Sequence, residues 1–104
     1  MARFDVYGNK NPETKMTIPY LLNVQSDLLD DLTTRVVVPL ITVSAVGAAA
    51  KHLNPQFKIE RTVVIMSTAE LAGVPVHILG DKICSLKEQR FEIIAALDFL
   101  FTGF

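Results

Sequence analysis

The chain has a single cysteine, Cys84, so it cannot form an internal disulfide. It has no glycine-rich phosphate loop, and the aspartates at positions 27, 30 and 31 lack the glycine and the later glutamate of a calcium loop. No long apolar stretch follows a basic N-terminus, and the longest weakly charged run, residues 93–104, is too short to span a membrane. These absences predict a cytoplasmic protein without a metal or another cofactor.

The chain also has no excess of positive charge. Ten Lys and Arg residues stand against eleven Asp and Glu residues, which gives a net charge of −1. Nucleic-acid binders gain much of their affinity from cations that replace phosphate counterions, so we do not expect this chain to bind DNA or RNA by itself. Half of its 104 residues are hydrophobic, which is high for a small monomer and predicts one domain, residues 1–104, in an obligate oligomer.

Catalytic residues are scarce in this sequence. Cys84 could act as a nucleophile with His52 or His77 as its base. However, Cys84 follows an isoleucine just before a predicted helix, which favours a buried and inert thiol. We predict that His77 is a sheet residue and that His52 is solvated in a loop, so the chain is not expected to be an enzyme.

Apolar patterning predicts several short strands followed by one helix. Residues 35–41 are continuously apolar and β-branched, which is typical of a central strand covered on both faces. Residues 44–53 are predicted to be a helical or irregular excursion, residues 69–73 a connector, and residues 60–61 and 80–81 tight turns. The other predicted strands are residues 3–7, 16–25 (with an edge or bulge at Pro19), 57–59, 62–68 and 74–79. This order predicts a mainly antiparallel sheet or partly open barrel with a helix packed over it.

The predicted C-terminal helix carries two apolar stripes. Ser85 and Glu88 have the spacing of a capping box, and the helical run continues to Gly103. The first stripe, expected to face the core, contains Leu86, Arg90, Ile93, Leu97, Leu100 and Phe104. The second contains Phe91, Ile94, Asp98 and Phe101, with Thr102 beside them. Because one face already serves the core, the second is a candidate partner surface.

A pair of leucines, Leu28 and Leu29, stands between acidic residues at the end of a predicted strand. One interpretation is a turn in which one leucine enters the core, which is the usual fate of leucine. The other is an exposed apolar knob that contacts a partner. The pattern alone leaves both open.

Four blocks of the chain closely resemble CcdB-type toxins of bacterial toxin–antitoxin modules. Residues 22–30 (LNVQSDLLD) are similar to the family signature, and residues 35–40 (RVVVPL) to its central strand. Thr68 and the GVPV run at residues 73–76 match its connector and following strand, and the terminal helix closes with Gly103 and one apolar residue. The resemblance covers the whole chain except residues 44–53 and the hairpin near Glu60.

The resemblance implies a homodimer with an SH3-like barrel and a long C-terminal helix. It implies a protein that binds the A subunit of DNA gyrase and holds the cleaved, DNA-linked enzyme, and that is neutralised by a CcdA-like antitoxin with which it represses its own operon. Matched by position, the gyrase contacts are Leu28, Leu29, Asp98, Phe101, Thr102, Gly103 and Phe104. The implied antitoxin contacts are Gly8, Asn9, Lys10, Asn11, Ser44 and Ala45, from the loop at residues 8–13 and the segment at residues 44–50.

Thr102 stands where the best-known family member has tryptophan, and Phe104 where the family usually has isoleucine. Two alternatives therefore remain beside the gyrase hypothesis. The first is a MazF-type endoribonuclease on the same barrel, for which Arg35 beside Thr33 and Thr34 would supply the cation, although no base accompanies it. The second is a non-toxic dimeric adaptor that has kept the fold and lost gyrase binding.

Overall fold

The computed structural model describes residues 2–45 and 53–103. Within these residues, seven strands precede one α-helix, and short 3₁₀ turns lie at Asp27–Leu29, Val43–Ala45, Thr68–Glu70, Val76–Ile78 and Lys87–Gln89. The strands are β1 (Asp5–Asn9), β2 (Tyr20–Asn23), β3 (Thr34–Thr42), β4 (Gln56–Ile59), β5 (Thr62–Met66), β6 (Ala72–Pro75) and β7 (Leu79–Ser85), and the helix is α1 (Arg90–Thr102).

All of the strand pairs are antiparallel and form one sheet in the order β4-β5-β3-β2-β1-β7. The long strand β3 lies at its centre. Its second half pairs with β5, where Leu40 lies opposite Met66, and its first half pairs with β6, where Arg35 lies opposite Val74. The sheet curls into a half-barrel with α1 as its C-terminal helix, which confirms the predicted α+β fold and the central position of residues 35–41.

The main core lies on one face of this curled sheet. Val6, Leu22 and Val38 lie opposite one another on three neighbouring strands and are fully buried. They share one face of the sheet because successive side chains of a strand point to opposite faces. Helix α1 contributes Ile93 and the small Ala96 to the same cluster. A smaller cluster on the other face contains Tyr7, Val37 and Leu79.

Several predicted strand boundaries are wrong. The alternating residues 16–19 lie outside β2 because backbone hydrogen bonds fold residues 11–18 into turns, with the amide of Ile18 donating to the carbonyl of Thr14 at 2.7 Å. Pro19 therefore precedes an interior strand and is not at an edge or bulge. Strand β1 continues through Gly8 and Asn9, which were predicted to be in a loop.

The second half of the sheet differs from the prediction in a similar way. The strand predicted over residues 74–79 is divided, since Val76–Ile78 form a 3₁₀ turn between β6 and β7. Gly80 and Asp81, predicted to be a turn, lie inside β7. A Cβ atom at Gly80 would come within 2.7 Å of the carbonyl oxygen of Gly8, so the close approach of β1 and β7 requires glycine there.

Helix α1 begins later than the capping-box pattern predicted. Ser85 ends β7, and its hydroxyl accepts a hydrogen bond from the amide of Lys87 at 3.2 Å, so it binds the first residue of the 3₁₀ turn and does not cap the helix. The helix starts at Arg90. Its end agrees with the sequence: Gly103 adopts a left-handed φ of 80° and its amide donates to the carbonyl of Phe99 at 2.9 Å.

The predicted tight turn at Glu60 and Arg61 is confirmed, and it joins β4 to β5. Both residues have positive φ, 50° and 76°, although neither is glycine. The hydroxyl of Tyr20 donates to the carboxylate of Glu60 at 3.2 Å, which ties the turn to β2.

Candidate functional site

The connection between β2 and β3 carries the most exposed apolar side chain of those described. Leu28 is 94% exposed and Leu29 is 50% exposed. The interpretation that one leucine enters the core is therefore wrong, and the exposed geometry of the alternative is confirmed. Leu32, 49% exposed, is a third exposed leucine in this connection and was not among the predicted contact residues. Its signal was present, since it directly follows Asp30 and Asp31. We call residues 26–32 the leucine loop.

The leucine loop is a compact turn. The amide of Leu28 donates to the hydroxyl of Ser26 at 3.2 Å, and the amide of Leu29 donates to the carbonyl of Ser26 at 3.0 Å. The carboxylate of Asp27 accepts from the backbone amide of Arg3 at 2.6 Å, which fastens the loop to the N-terminal segment. The hydroxyl of Ser26 thus satisfies a local amide, as serine commonly does in turns, whereas the carboxylate of Asp27 binds an amide far away in the chain. The leucines, in contrast, point away from the protein.

Arg35, the cation that the endoribonuclease alternative required, is buried at the start of β3 and is 5% exposed. Its guanidinium donates to the carbonyls of Leu32, Thr34 and Asp30 and forms an ion pair with the Asp30 carboxylate at 3.0 Å. Four of its hydrogen bonds therefore go to the protein itself. This geometry gives Arg35 an internal role and does not present its guanidinium to an RNA phosphate.

The second stripe of α1 is only partly a surface. Phe91 and Phe101 are 73% and 69% exposed, and Asp98 is also exposed, as predicted. Ile94 instead packs half-buried against the core, since the helix presents Ile93, Ile94, Ala96 and Leu97 to the sheet. In the first stripe Leu86 and Ile93 are buried as predicted, but Arg90 is exposed and lies 4.8 Å from the ring centroid of Phe91.

The end of α1 brings four of the predicted gyrase contacts together, Asp98, Phe101, Thr102 and Gly103. The hydroxyl of Thr102 donates to the carbonyl of Asp98 at 2.6 Å, one turn back along the same helix. Phe101 and Gly103 are exposed beside it, and the residue at position 104 lies outside the described residues. Within the described part of one chain, α1 packs against the turn at Thr68–Glu70 and does not pack closely against the leucine loop.

The predicted antitoxin contacts divide between buried and exposed positions. Asn9 is buried, and its side-chain Nδ2 donates to the hydroxyl of Thr14 and to the carbonyl of Ile18. Asn9 therefore stabilises the turns at residues 11–18. Lys10 and Asn11 are exposed, as are Ser44 and Ala45, while residues 46–50 of the predicted segment lie outside the described residues. A concave pocket of about 680 Å³ includes Gly8, Asn9 and Lys10 as well as Thr42, just before the turn at Val43–Ala45. Of the predicted antitoxin contacts, Gly8, Asn9 and Lys10 line this pocket, and Ser44 and Ala45 do not.

None of the other candidates forms a reactive site among the described residues. Cys84 is half-buried in β7, and burial followed by the nearby charge of Glu60 raises the pKa of its thiol, which opposes thiolate formation at neutral pH. His77 lies exposed in the turn at Val76–Ile78 and is not the sheet residue that was predicted. His52 lies outside the described residues. No group of three or more potential metal ligands occurs in residues 2–45 and 53–103.

Of the helices that the structure describes, none has the length and apolar composition of a membrane span.

A comparison with protein families finds one match of almost full length. The model of the family described as CcdB protein matches residues 3–103, which include the leucine loop, β3 and the end of α1.

Proposed function

Since this chain belongs to the CcdB family, toxins of toxin–antitoxin modules, we propose that it binds the A subunit of DNA gyrase and traps the cleaved, covalently DNA-linked enzyme. The observation that carries this proposal is the exposure of Leu28 and Leu29 at the positions that match the family's gyrase contacts. Exposing two neighbouring leucines to water is energetically unfavourable in an isolated domain, and burying them against a partner would be favourable.

The proposed gyrase surface combines the leucine loop with the end of α1. Its residues are Leu28, Leu29, Asp98, Phe101, Thr102, Gly103 and Phe104. In a homodimer, a two-fold axis would place two such helix ends side by side, which fits a target that is itself two-fold symmetric. We propose that the chain acts by binding in the bacterial cytoplasm and catalyses no reaction itself.

We further propose that a CcdA-like antitoxin neutralises this toxin. Its contacts would be Gly8, Asn9, Lys10, Asn11, Ser44 and Ala45, of which the first three line the concave pocket. Two of these, Lys10 and Asn11, are exposed polar side chains that a charged, disordered antitoxin tail could reach. The toxin–antitoxin complex, with DNA contacts supplied by the antitoxin, would repress the shared operon.

A gyrase-dependent DNA cleavage assay tests the gyrase proposal. Purified toxin should accumulate cleaved, protein-linked DNA, whereas Leu28→Ala and a chain lacking Phe104 should lose most of this activity. Met16→Ala is the matched control, because Met16 is 86% exposed but lies outside the proposed surface, and it should act like the wild type.

A second arm addresses the missing tryptophan. Thr102 is exposed, so Thr102→Trp should leave the fold intact and add apolar area and a ring for a target cation. We expect binding to the gyrase A subunit to strengthen by roughly three- to thirtyfold. If wild type and Thr102→Trp both fail to bind the A subunit and to trap cleaved DNA, the proposed function is wrong.

A further inference from the structure

We propose that Arg35 and Gln25 are positioning residues that hold the leucine loop in its binding-ready shape. The inference rests on the proposed function, because it assumes that the loop is a contact surface. Neither residue belongs to that surface. Both side chains are buried on the interior side of the leucine loop and donate hydrogen bonds to its backbone.

Arg35 fixes the second half of the leucine loop. One guanidinium nitrogen, Nη2, donates to the Asp30 carbonyl at 2.6 Å and to the Asp30 carboxylate at 3.0 Å. The other, Nη1, donates to the carbonyls of Leu32 and Thr34. A rigid planar fork that binds several acceptors at once defines their relative positions, which a single flexible ammonium group cannot do.

Gln25 fixes the first half. Its Nε2 donates to the carbonyl of Leu29 at 2.9 Å, and its Oε1 accepts from the amide of Val36 at 3.0 Å. The buried side chain of Gln25 therefore links the backbone of Leu29 to Val36 in the central strand β3. The loop is fastened to the same rigid strand at two points, through Gln25 and through Arg35.

The leucines cannot fix the loop themselves. Leu28 is almost fully exposed, so no packing against the core determines where it points. Its direction follows from the backbone, and the side chains of Gln25 and Arg35 bind that backbone. A loop that is already ordered loses less conformational entropy when it binds a partner.

The placement of Arg35 is poorly explained by stability alone. A buried guanidinium is weak evidence for stability, and its Nε has no hydrogen-bond partner among the described residues. Its carbonyl partners belong to residues that are exposed as a whole, Asp30, Leu32 and Thr34, so we expect water to reach these carbonyls once the guanidinium is removed. Removing the charge should therefore loosen the loop more than it unfolds the protein.

A double-mutant cycle tests the proposal with the purified gyrase A subunit as the probe. Arg35→Met should weaken binding by roughly tenfold or more, because the loop must then be ordered during binding. Arg35→Lys, which keeps the charge but not the fork, should be intermediate. The effect of Leu28→Ala should shrink by at least about threefold in the Arg35→Met background, whereas the two effects on unfolding should be additive. Multiplicative effects on binding would overturn the positioning role.

Amide hydrogen exchange provides a readout that does not depend on gyrase. In Arg35→Met, exchange at Leu29 and Leu32 should quicken by about tenfold or more while the core strands stay protected. Unchanged exchange in the loop would overturn the inference even if gyrase binding fell. If wild-type protein did not bind gyrase A, the proposed function would fail, and exchange would still decide whether Arg35 orders the loop.

Gln25→Glu is the second variant, and it carries the test if Arg35→Met does not fold. In its ionised form the new carboxylate keeps the acceptor for the amide of Val36 and has no donor for the Leu29 carbonyl, with almost no change in shape, so exchange is measured at a pH high enough to ionise it. We expect faster exchange at Leu29 and weaker binding to the A subunit. Equal protection of Leu29 in Gln25→Glu and wild type would overturn the role of Gln25.

Discussion

At the scale of single residues, buried polar side chains determine much of the local geometry. Asn23, 1% exposed, donates to the carbonyl of Ala2 at 3.0 Å and accepts from the amide of Gln25 at 3.2 Å. The side chains of Gln25 and Arg35 in turn donate hydrogen bonds to the backbone of the leucine loop. Such bonds are specific because a buried donor without an acceptor is costly. The apolar pattern of the sequence does not predict these hydrogen bonds.

Tyr7 gives the stability of the folded chain a pH dependence. Burial, followed by the charge of Asp5 and a 3.4 Å hydrogen bond to its carboxylate, raises the pKa of Tyr7 from 10.0 to about 12, although the nearby Arg35 lowers it. Lys82 lies 3.5 Å from the same carboxylate. Because the folded state holds the phenol proton more tightly than the unfolded chain, this contribution to stability is complete below pH 10 and is lost as the pH rises to about 12.

Denaturant unfolding between pH 9 and pH 12 measures this loss of stability. Tyr7→Phe should flatten the decline in the unfolding midpoint and change stability at neutral pH by no more than about 1 kcal/mol. Tyr20→Phe is the matched control, since burial and Glu60 also raise the pKa of Tyr20. It should retain most of the decline. A decline of equal steepness in wild type and Tyr7→Phe would contradict the assignment.

At the scale of elements, the structure distinguishes the buried side of α1 from its exposed side. The helix is apolar over most of its circumference, so periodicity alone cannot decide which side meets the sheet. Ile93 and Ala96 are buried, Ile94 and Leu97 are half-buried, and Phe91 and Phe101 face outward. The small side chain of Ala96 allows the helix to lie close to the sheet. This choice leaves the aromatic residues available to a partner.

Substitutions on the two sides of α1 should therefore differ in their effects on stability. Ile93→Ala removes a fully buried side chain and should lower the free energy of unfolding by about 2–5 kcal/mol. Phe101→Ala should lower it by less than about 1 kcal/mol, since Phe101 is mostly exposed. Denaturant unfolding of both variants checks this difference, with Phe91→Ala as a control on the same exposed side. Equal losses for Ile93→Ala and Phe101→Ala would refute the assignment of faces.

At the scale of the whole molecule, exposed apolar side chains occur at distant places. Leu28 and Leu29 lie between β2 and β3, Phe91 and Phe101 lie at opposite ends of α1, and Met16 lies in the turn after β1. One partner surface on a single chain does not account for all of them. We propose that a second copy covers part of this surface and that gyrase and the antitoxin bind elsewhere on the same dimer.

The dimer proposal predicts a mass in solution of twice the 11.5 kDa chain. The midpoint of thermal unfolding should also rise with protein concentration, because association stabilises only the folded state. Sedimentation equilibrium and calorimetry over a hundredfold concentration range, about the span needed for a clear shift, would measure both. A single-chain mass together with a concentration-independent midpoint would contradict the proposal.

The sequence by itself determined the order of elements, the central strand and the helix end. Residues 35–41 could be identified as a buried central strand because β-branched apolar residues fill both faces, and the helix ends where only glycine readily adopts a positive φ. The family blocks also lie in the sequence, since residues 22–30 need no structure to be compared. The gyrase contacts that we propose were therefore available as an inference from resemblance.

Only the tertiary structure decided which apolar residues remain outside. Leucine is usually buried, so the sequence left open whether one of Leu28 and Leu29 enters the core. The structure leaves both exposed, on a loop whose backbone is bound from the interior by Gln25 and Arg35. The start of α1 and the turn at Val76–Ile78 likewise depend on long-range pairing of β7 with β1, which local periodicity does not contain. Local patterns record which residues favour burial. Which of them is buried depends on contacts between residues far apart in the chain.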